Sequence, residues 1–453
     1  MSAPLMKSVS GIRGIVGETF TPDLIITVSS AFAEFVKYGT VVVGRDSRPT
    51  GEALSMNIIS TLALCGCNVI DIGLVPTPTV QIMVEELKAD GGIVISASHN
   101  PIEWNAFKLI NKEGRFLNSS QIKKVFSLMG KKPKFRNWDK VGRISFNRDS
   151  FRVHIEKVLS VVDVELIRSK NFRVVIDSVN GAGSEITIEL LKRLNCEIIP
   201  INCSPNGIFP RGAEPLPENL SALSAKVKEV KAHIGFAQDP DADRLALIDE
   251  KGLPCGEEYT IALVSDHLLS KKKGRVVVNL STTKAVEDIA LRHGVLFKRT
   301  KVGEINVVEE MVKNGARIGG EGNGGIISPE IHYGRDSLAG IAYILEMMAE
   351  REEFISQILS KLPQYYMKKG KVTLKAGIDT NKIFDKIRSN FPGDKISTID
   401  GLRIDFVKNQ DFKGGWVHLR ASNTEPIFRI ISEAETVQKS ESIYKYFSKI
   451  ITA

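Results

Sequence analysis

Buried-strand runs alternate with helix-like stretches over most of the chain. Continuous β-branched and apolar runs occupy 40–44, 172–176 and 275–278. Each run ends in a polar turn, and helix-like stretches follow over 51–65, 185–194 and 283–293. Apolar strands that alternate with helices are typical of parallel sheets covered by helices on both faces. The pattern therefore predicts three doubly wound α/β domains of related design.

The last part of the chain has a different pattern. A linker-like segment at 363–370 leads into a strand at 371–375 and a helix at 380–388. Short strands follow at 401–406, 415–420 and 426–432, and a helix closes the chain over 436–450. Strands with helices segregated to one side indicate a smaller α+β domain. We therefore expect four domains, over 1–150, 151–252, 253–365 and 366–453.

Length and charge narrow the classes of function. A chain of 453 residues that is 43% hydrophobic and 25% charged can bury several cores. Its net charge of +8 is spread along the chain, and no basic run is long enough to be a binding tail for nucleic acid. The charge favours a small phosphorylated ligand, and we expect neither nucleic acid nor membrane as a partner.

Targeting features and cysteine usage predict a cytoplasmic protein. No stretch approaches the ~20 apolar residues of a membrane span, and the N-terminus lacks the pattern of a signal peptide. The five cysteines are odd in number, scattered, and without the spacing of zinc ligands. We expect them to be reduced thiols.

A first candidate loop surrounds Ser98. An apolar strand at 92–95 ends in Ser-Ala-Ser-His-Asn-Pro, so Ser98 is expected at the carboxyl end of a sheet strand, where α/β proteins bind ligands. A serine without an adjacent base is a weak nucleophile, which favours a serine that carries phosphate over one that attacks esters. His99 could orient that phosphate or cap the loop, and a plain strand-to-loop turn is the alternative interpretation.

A second candidate loop is rich in aspartate. Asp239, Asp241 and Asp243 alternate in Asp-Pro-Asp-Ala-Asp-Arg, so an extended backbone would point their side chains to one face. Crowded carboxylates repel each other unless a cation lies between them, and hard oxygen ligands suit Mg²⁺ or Ca²⁺. An EF-hand is disfavoured because Arg244 occupies the position that needs glycine. A solvated acidic turn is the remaining alternative.

Two further loops offer groups that bind sugars and phosphates. The glycine-rich loop at 319–325 carries Glu321 and Asn323, which together can bind vicinal hydroxyls, with a flexible linker as the alternative. The turn at 420–426 is a candidate phosphate-binding turn, because arginine donors match the geometry of phosphate oxygens. A salt-bridged hairpin is the alternative interpretation. The donors in and just beyond this turn are Arg420, Ser422, Asn423, Thr424 and Arg429.

In this order, the four loops resemble those of the α-D-phosphohexomutase family, which includes phosphoglucomutase, phosphomannomutase and phosphoglucosamine mutase. Ser-Ala-Ser-His-Asn-Pro is similar to the phosphoserine loop of that family, and Asp-Pro-Asp-Ala-Asp-Arg is identical to its magnesium loop. The glycine-rich loop and the Arg-Ala-Ser-Asn-Thr-Glu-Pro turn resemble its sugar and phosphate loops. Further family motifs resemble the segments 10–14, 105–108 and 300–303.

The resemblance implies four domains around a central cleft, in a monomer or homodimer. It implies a phosphohexomutase that interconverts hexose 6-phosphate and hexose 1-phosphate, with hexose 1,6-bisphosphate as intermediate and activator. Ser98 would carry the phosphoryl group and, with the three aspartates, would bind one Mg²⁺. Further roles in catalysis or substrate binding are implied for Arg13, His99, Lys108, Arg244, Thr300 and Gly303.

Two positions depart from the family pattern. The sugar loop usually ends in a histidine that is a proposed acid/base, and Gly325 stands there in this chain, with His332 as a candidate substitute. Asn323 replaces the usual serine, which would change how hydroxyls are recognised. The loops resemble sequences labelled phosphoglucosamine mutase, so we expect glucosamine phosphate as substrate and phosphomannomutase/phosphoglucomutase activity as the alternative. A phosphatase and a non-catalytic sugar-phosphate-binding protein are less favoured.

Overall fold

A computed structural model of the protein describes residues 5–9, 11–373, 380–421 and 427–452. The chain divides into two compact units, Met1–His267 with Asn323–Leu359, and Leu268–Gly322 with Ser360–Ala453. None of the helices in the described ranges combines the length and apolar composition that a bilayer crossing requires.

The first unit begins with a seven-stranded mixed sheet. Its strands are β1 (Met6–Ser8), β2 (Gly11–Ile15), β3 (Thr40–Arg45), β4 (Asn68–Leu74), β5 (Gly91–Ile95), β6 (Trp104–Asn111) and β7 (Ile144–Phe146). They lie in the order β1-β2-β6-β5-β3-β4-β7, with β3 parallel to β4 and β5 and with β6 antiparallel to β5. The helices are α1 (Pro22–Phe35), α2 (Gly51–Cys65), α3 (Thr77–Glu86) and α4 (Ser119–Leu128), and a 3₁₀ turn covers Trp138–Lys140.

Side chains of successive strand residues point to opposite faces of the sheet, and both faces are buried. Val41 and Val43 of β3 pack in one hydrophobic core with Phe32 of α1. Val42 packs in a second core with Val80 of α3. The apolar run of β3 is continuous because helices cover both faces of the sheet, as the sequence predicted.

A second sheet in the same unit carries the aspartate loop. Helices α5 (Ser150–Leu159) and α6 (Val164–Ser169) lead into β8 (Arg173–Asp177), α7 (Gly183–Arg193), β9 (Glu197–Ile201), a 3₁₀ turn (Pro217–Asn219), α8 (Ser221–Glu229), β10 (Ile234–Gln238) and β11 (Leu245–Ile248). The order is β11-β10-β8-β9, with β8 parallel to both neighbours and β11 antiparallel to β10. Residues 239–244 form the turn that joins β10 to β11.

The third set of elements again alternates helices and strands. It comprises α9 (Glu258–Lys271), β12 (Val276–Asn279), α10 (Lys284–Arg292), β13 (Phe297–Thr300), α11 (Glu304–Asn314), β14 (Ile318–Glu321), β15 (Gly325–Ile327), α12 (Ser337–Arg351) and α13 (Ile355–Ser360). In the second unit, β12 pairs in parallel with β13 and β14. Strand β15 and helix α12 belong to the first unit.

The C-terminal sheet lies in the second unit and is antiparallel. It consists of β16 (Tyr366–Thr373), α14 (Thr380–Ser389), β17 (Lys395–Ser397), β18 (Leu402–Asp405), β19 (Trp416–Ala421), β20 (Ile427–Ala434) and α15 (Val437–Thr452). The strand order is β16-β20-β19-β18-β17. One hydrophobic core joins Phe447 of α15 to Leu419 and Phe428 of the sheet.

The predicted fold class is confirmed, with two differences in the C-terminal sheet. Residues 366–370, expected to be a linker, are strand, because β16 pairs with β20 along its whole length. Strand β17 was not predicted at all. The domain boundaries expected after residues 150, 252 and 365 stay predictions.

Candidate active site

Ser98 lies in the loop that joins β5 to β6, in a strained backbone conformation. Its φ angle is 50°, in the left-handed region that residues other than glycine rarely adopt. Such strain costs about 1 kcal/mol or more and persists only where the surroundings fix it. The side chain is buried, and its hydroxyl donates a hydrogen bond to Asp239 Oδ2 at 3.0 Å. The structure therefore brings the predicted serine and the aspartate loop together.

Arg48, just after β3, fixes the backbone of the serine loop. This side chain is fully buried, and its Nε donates to Asp46 Oδ2 at 3.1 Å. The remaining guanidinium N–H groups donate to four backbone carbonyls, those of Ser98, Asn100, Pro101 and Trp104. Nothing in the sequence pattern singled out Arg48, since an arginine in a polar turn usually faces solvent.

The three aspartates converge because their loop is a tight turn. Asp239, Asp241 and Asp243 are fully buried, and one oxygen from each lies within 4.8 Å of the others. The sequence predicted this convergence from an extended backbone, and that reason was wrong. Instead, Ala242 has a φ of 53° in the left-handed region, which turns the chain back on itself.

Backbone amide, hydroxyl and ammonium groups hold the aspartates in place. Asp239 Oδ1 accepts from the backbone amide of Asp243 at 3.1 Å. Asp241 Oδ2 accepts from the hydroxyl of Thr77, at the start of α3, and from the ammonium group of Lys108 on β6. Lys108 Nζ also lies 3.8 Å from Asp243 Oδ2. The predicted Lys108 is therefore part of this cluster.

The electrostatics of the cluster fit a metal ion. Burial and the neighbouring carboxylates of Asp243 and Asp241 raise the pKa of Asp239 well above its usual value. Burial also works to raise the pKa of Asp241, but the ammonium group of Lys108 overcomes it and lowers that pKa. Asp241 Oδ1 and Asp243 Oδ1 are buried without a hydrogen-bond partner. Such carboxylate oxygens are the ligands that hard divalent cations prefer, so this cluster could hold a metal ion.

His99 lies beside Ser98 as a neutral imidazole. Its partial burial and the positive charges of Arg244 and Arg13 lower the pKa of His99 to about 2. Nδ1 accepts from Arg244 Nη2 at 2.9 Å and lies 3.3 Å from Ser98 Oγ. Arg13 Nη1 donates to Asn100 Oδ1 at 2.7 Å, close to the serine in sequence. Arg13 and Arg244 therefore both contact the serine loop, in which His99 lies. The roles expected for these three residues stay predictions.

In the second unit, the structure brings Glu321 and Gly303 together. Glu321 Oε1 accepts from the backbone amide of Gly303 at 3.0 Å and from Asn279 Nδ2 at 2.7 Å. Thr300 is buried, and its hydroxyl donates to the carbonyl of Lys301. The Glu321 carboxylate is thus oriented by the loop that follows β13.

The two arginines of the predicted phosphate clamp lie on neighbouring strands. Arg420 and Arg429 are direct cross-strand partners in β19 and β20. Arg420 Nε lies 3.2 Å from Asp400 Oδ2, which also accepts from the backbone amide of Val302 at 2.9 Å. The other three predicted residues lie outside the described residues, and they are Ser422, Asn423 and Thr424.

Asn323 and His332 belong to the first unit. Asn323 Oδ1 accepts from the backbone amide of Gly325 at 3.3 Å. His332 is buried, and its Nε2 lies 3.4 Å from Asp336 Oδ2. The same carboxylate oxygen bonds to His154 at 2.9 Å, so His332 is packed into a buried network beside α12. Its role as an acid/base stays a prediction.

Comparison with known proteins identifies the family. The chain matches three domains described as phosphoglucomutase/phosphomannomutase α/β/α domain I, domain II and domain III, over residues 5–135, 152–252 and 256–366. It is 38% identical over 451 residues to a phosphoglucomutase/phosphomannomutase of Thermococcus kodakarensis, with 97% of each chain covered. It is 37% identical over 430 residues to a probable phosphoglucosamine mutase of Methanococcoides burtonii, with 94% of each chain covered.

Solved structures agree with this match. A phosphoglucomutase/phosphomannomutase family protein from Burkholderia thailandensis is 26% identical with a TM-score of 0.83, covering 98% of this chain and 97% of the other. A putative phosphomannomutase from Thermus thermophilus, 24% identical with a TM-score of 0.85 over the whole of both chains, shares the fold. The chain therefore belongs to the α-D-phosphohexomutase family and is a phosphohexomutase, an isomerase that transfers a phosphoryl group within its substrate.

Proposed function

We propose that this phosphohexomutase is a phosphoglucosamine mutase that works through phospho-Ser98. The observation that carries the proposal is the buried hydroxyl of Ser98, which donates to Asp239 beside two carboxylate oxygens without hydrogen-bond partners. Relatives named probable phosphoglucosamine mutase support the choice of sugar. A relative named phosphoglucomutase/phosphomannomutase makes glucose and mannose phosphates the alternative substrates.

The proposed reaction has two phosphoryl transfers. In the first, the bond between phosphorus and Ser98 Oγ breaks, and a bond forms to the free hydroxyl oxygen of a hexose monophosphate. That hydroxyl loses its proton and Ser98 Oγ takes one up, so no net proton is released. The product is a hexose 1,6-bisphosphate, which also serves as activator. The bisphosphate then turns over, and its other phosphoryl group returns to Ser98. Such transfers depend mostly on positioning and on neutralising charge.

The metal in this proposal is Mg²⁺, held by Ser98 and the three aspartates. When bound, it would neutralise charge on the transferring phosphoryl group. Lys108 keeps Asp241 ionised and oriented through a direct ion pair. Arg13 and Arg244 supply positive charge beside the serine loop, where the phosphoryl oxygens would lie. Arg48 keeps the Ser98 backbone in its strained conformation.

Sugar and distal-phosphate recognition are proposed for the remaining loops. Glu321 and Asn323 would bind sugar hydroxyls, and the oriented Glu321 carboxylate supports this role. Arg420 and Arg429 would bind the phosphate that is not reacting, which their adjacent places on β19 and β20 support. These loops also follow one another along the chain in the same order as in the family, which is a second observation in support of these roles.

A coupled mutase assay tests the proposal. Glucosamine, glucose and mannose phosphates are compared with Mg²⁺ and a trace of the matching 1,6-bisphosphate. We expect the highest kcat/KM for glucosamine phosphate, its loss in Ser98→Ala, and its retention in Ser160→Ala, an exposed serine at the end of α5. A higher kcat/KM for glucose or mannose phosphate would overturn the sugar. Inorganic phosphate released without an isomer would identify a phosphatase, and binding without turnover would identify a binding protein.

A further inference from the structure

A steric constraint favours glycine at position 325, at the end of the glycine-rich loop. A Cβ atom on Gly325 would lie 2.3 Å from Arg335 Cδ and 2.9 Å from Arg335 Cγ. Contacts below 3.0 Å essentially never occur for real Cβ atoms, so a side chain at 325 would displace the arginine. The space that a histidine would need at position 325 is occupied by the aliphatic part of Arg335.

Arg335 crosses Gly325 to reach the aspartate cluster. Its Nη2 donates to Asp243 Oδ2 at 2.6 Å, and both side chains are buried. The other oxygen, Asp243 Oδ1, accepts no hydrogen bond, and Arg244 Nε lies 3.9 Å from it. The arginine therefore holds Asp243 by one oxygen and leaves the second for a cation.

The segment that carries Arg335 is itself fixed to the aspartate turn. The hydroxyl of Ser337, at the start of α12, donates to the carbonyl of Ala242 at 2.6 Å. Asp336 caps the same helix by accepting from the amide of Leu338 at 2.9 Å. Arg335 and Ser337, two residues apart, thus hold the aspartate turn by the Asp243 side chain and by its backbone.

We propose that Arg335 is a positioning residue for Asp243 and that Gly325 and Arg335 form an interdependent pair. The proposal deepens the proposed function, since it rests on the aspartate cluster as the metal site. A guanidinium stays protonated throughout the working pH range, so Arg335 does not take over proton transfer from the absent histidine. It orients a metal ligand, and partners of this kind typically change metal affinity about 10- to 100-fold.

Mg²⁺ affinity, measured by calorimetry on enzyme stripped with EDTA, tests this role without turnover. We expect Arg335→Met to weaken Mg²⁺ binding about 10- to 100-fold, and Arg335→Lys to weaken it less. The matched control is Arg351→Met, which breaks an ion pair with Asp266 at the other end of α12. It should keep the wild-type affinity within about twofold. Wild-type affinity in Arg335→Met would overturn the positioning role.

A double-mutant cycle tests the pairing. Gly325→Ala alone should weaken Mg²⁺ binding because it displaces Arg335, and it should have no further effect once Arg335 is methionine. Additive effects would overturn the pairing. If Arg335→Met does not fold, Arg335→Lys and Gly325→Ala carry the test, with circular dichroism as the check of folding. Wild-type enzyme that isomerises its substrate without binding Mg²⁺ would overturn the proposed metal site and this inference together.

Discussion

Replacement of Arg48 by methionine tests how the serine loop is held. The guanidinium is buried with 1% of the residue exposed, and each of its five N–H groups donates a hydrogen bond. Four of these bonds go to backbone carbonyls between residues 98 and 104, and one goes to Asp46. Methionine has a similar length and donates none, so four carbonyls and one buried carboxylate lose a partner.

The structure allows the cost to be estimated. A buried acceptor left unpaired costs about 1–3 kcal/mol, and a buried charge left without its partner costs about 3–5 kcal/mol. The bond to the Ser98 carbonyl is buried, whereas those to Asn100, Pro101 and Trp104 are only partly buried, so water can replace the lost donor there. The lower ends of these ranges sum to roughly 4 kcal/mol for the Ser98 carbonyl and Asp46. This is a large part of the stability of a typical domain, about 5–15 kcal/mol. Arg48→Lys keeps the charge but has only three donors, so it should fall between wild type and Arg48→Met.

Urea unfolding and mutase kinetics measure the two consequences. We expect Arg48→Met to lose a large part of the stability of its domain. We expect Arg48→Lys to fold with a kcat about 100-fold lower, which is what a 1 Å misplacement of a reacting group can cost. The control is Arg45→Met, since the half-buried Arg45 makes one hydrogen bond to the carbonyl of Asp46. The reasoning fails if Arg48→Met unfolds within about 1 kcal/mol of wild type and keeps its kcat.

Two further predictions follow from the metal cluster and from a buried histidine. Mg²⁺ at 100 times its Kd should stabilise the wild type by about 2.7 kcal/mol in thermal unfolding, and Asp241→Asn should lose most of this gain; equal stabilisation of both proteins would contradict the site. Burial lowers the pKa of His418 to about 4, while Nε2 donates to the carbonyl of Asp400. In the unfolded chain His418 takes up a proton near pH 6.5, whereas in the folded chain it does so only near pH 4. The free energy of unfolding should therefore fall by roughly 3 kcal/mol between pH 6.5 and pH 4. Urea unfolding at pH 7 and 4.5 should show a smaller loss in His418→Asn than in wild type; an equal loss would refute the assignment, and His293→Asn is the matched control.

Local patterns were enough to predict most elements of the fold. The run at 40–44 lies in strand β3, since its valines pack on both faces of the sheet and leave no polar position between Val41 and Gly44. The pattern failed where a strand buries no continuous face. Strand β16 is an edge strand in which every residue is exposed or half-buried, so Tyr366 and its lysines have the composition of a linker.

The candidate site was predicted in part. The motif order located Ser98 and the three aspartates, and the structure brings them together. The alternation of the aspartates was read as extended backbone, whereas the convergence comes from a turn at Ala242. A backbone in the left-handed region cannot be read from an alanine, because that conformation is imposed by the tertiary contacts around it.

Sequence by itself determined the α/β class, the loops and the chemical types of their side chains, because these depend on local periodicity and residue chemistry. Only the tertiary structure showed that two further arginines, Arg48 and Arg335, contact the candidate site. Arg48 reaches the serine loop across 50 residues of sequence, and Arg335 reaches Asp243 across 92. A buried arginine and a solvent-exposed one look alike in a sequence. The difference lies in desolvation and in the partners that surround the guanidinium, and both exist only once the chain has folded.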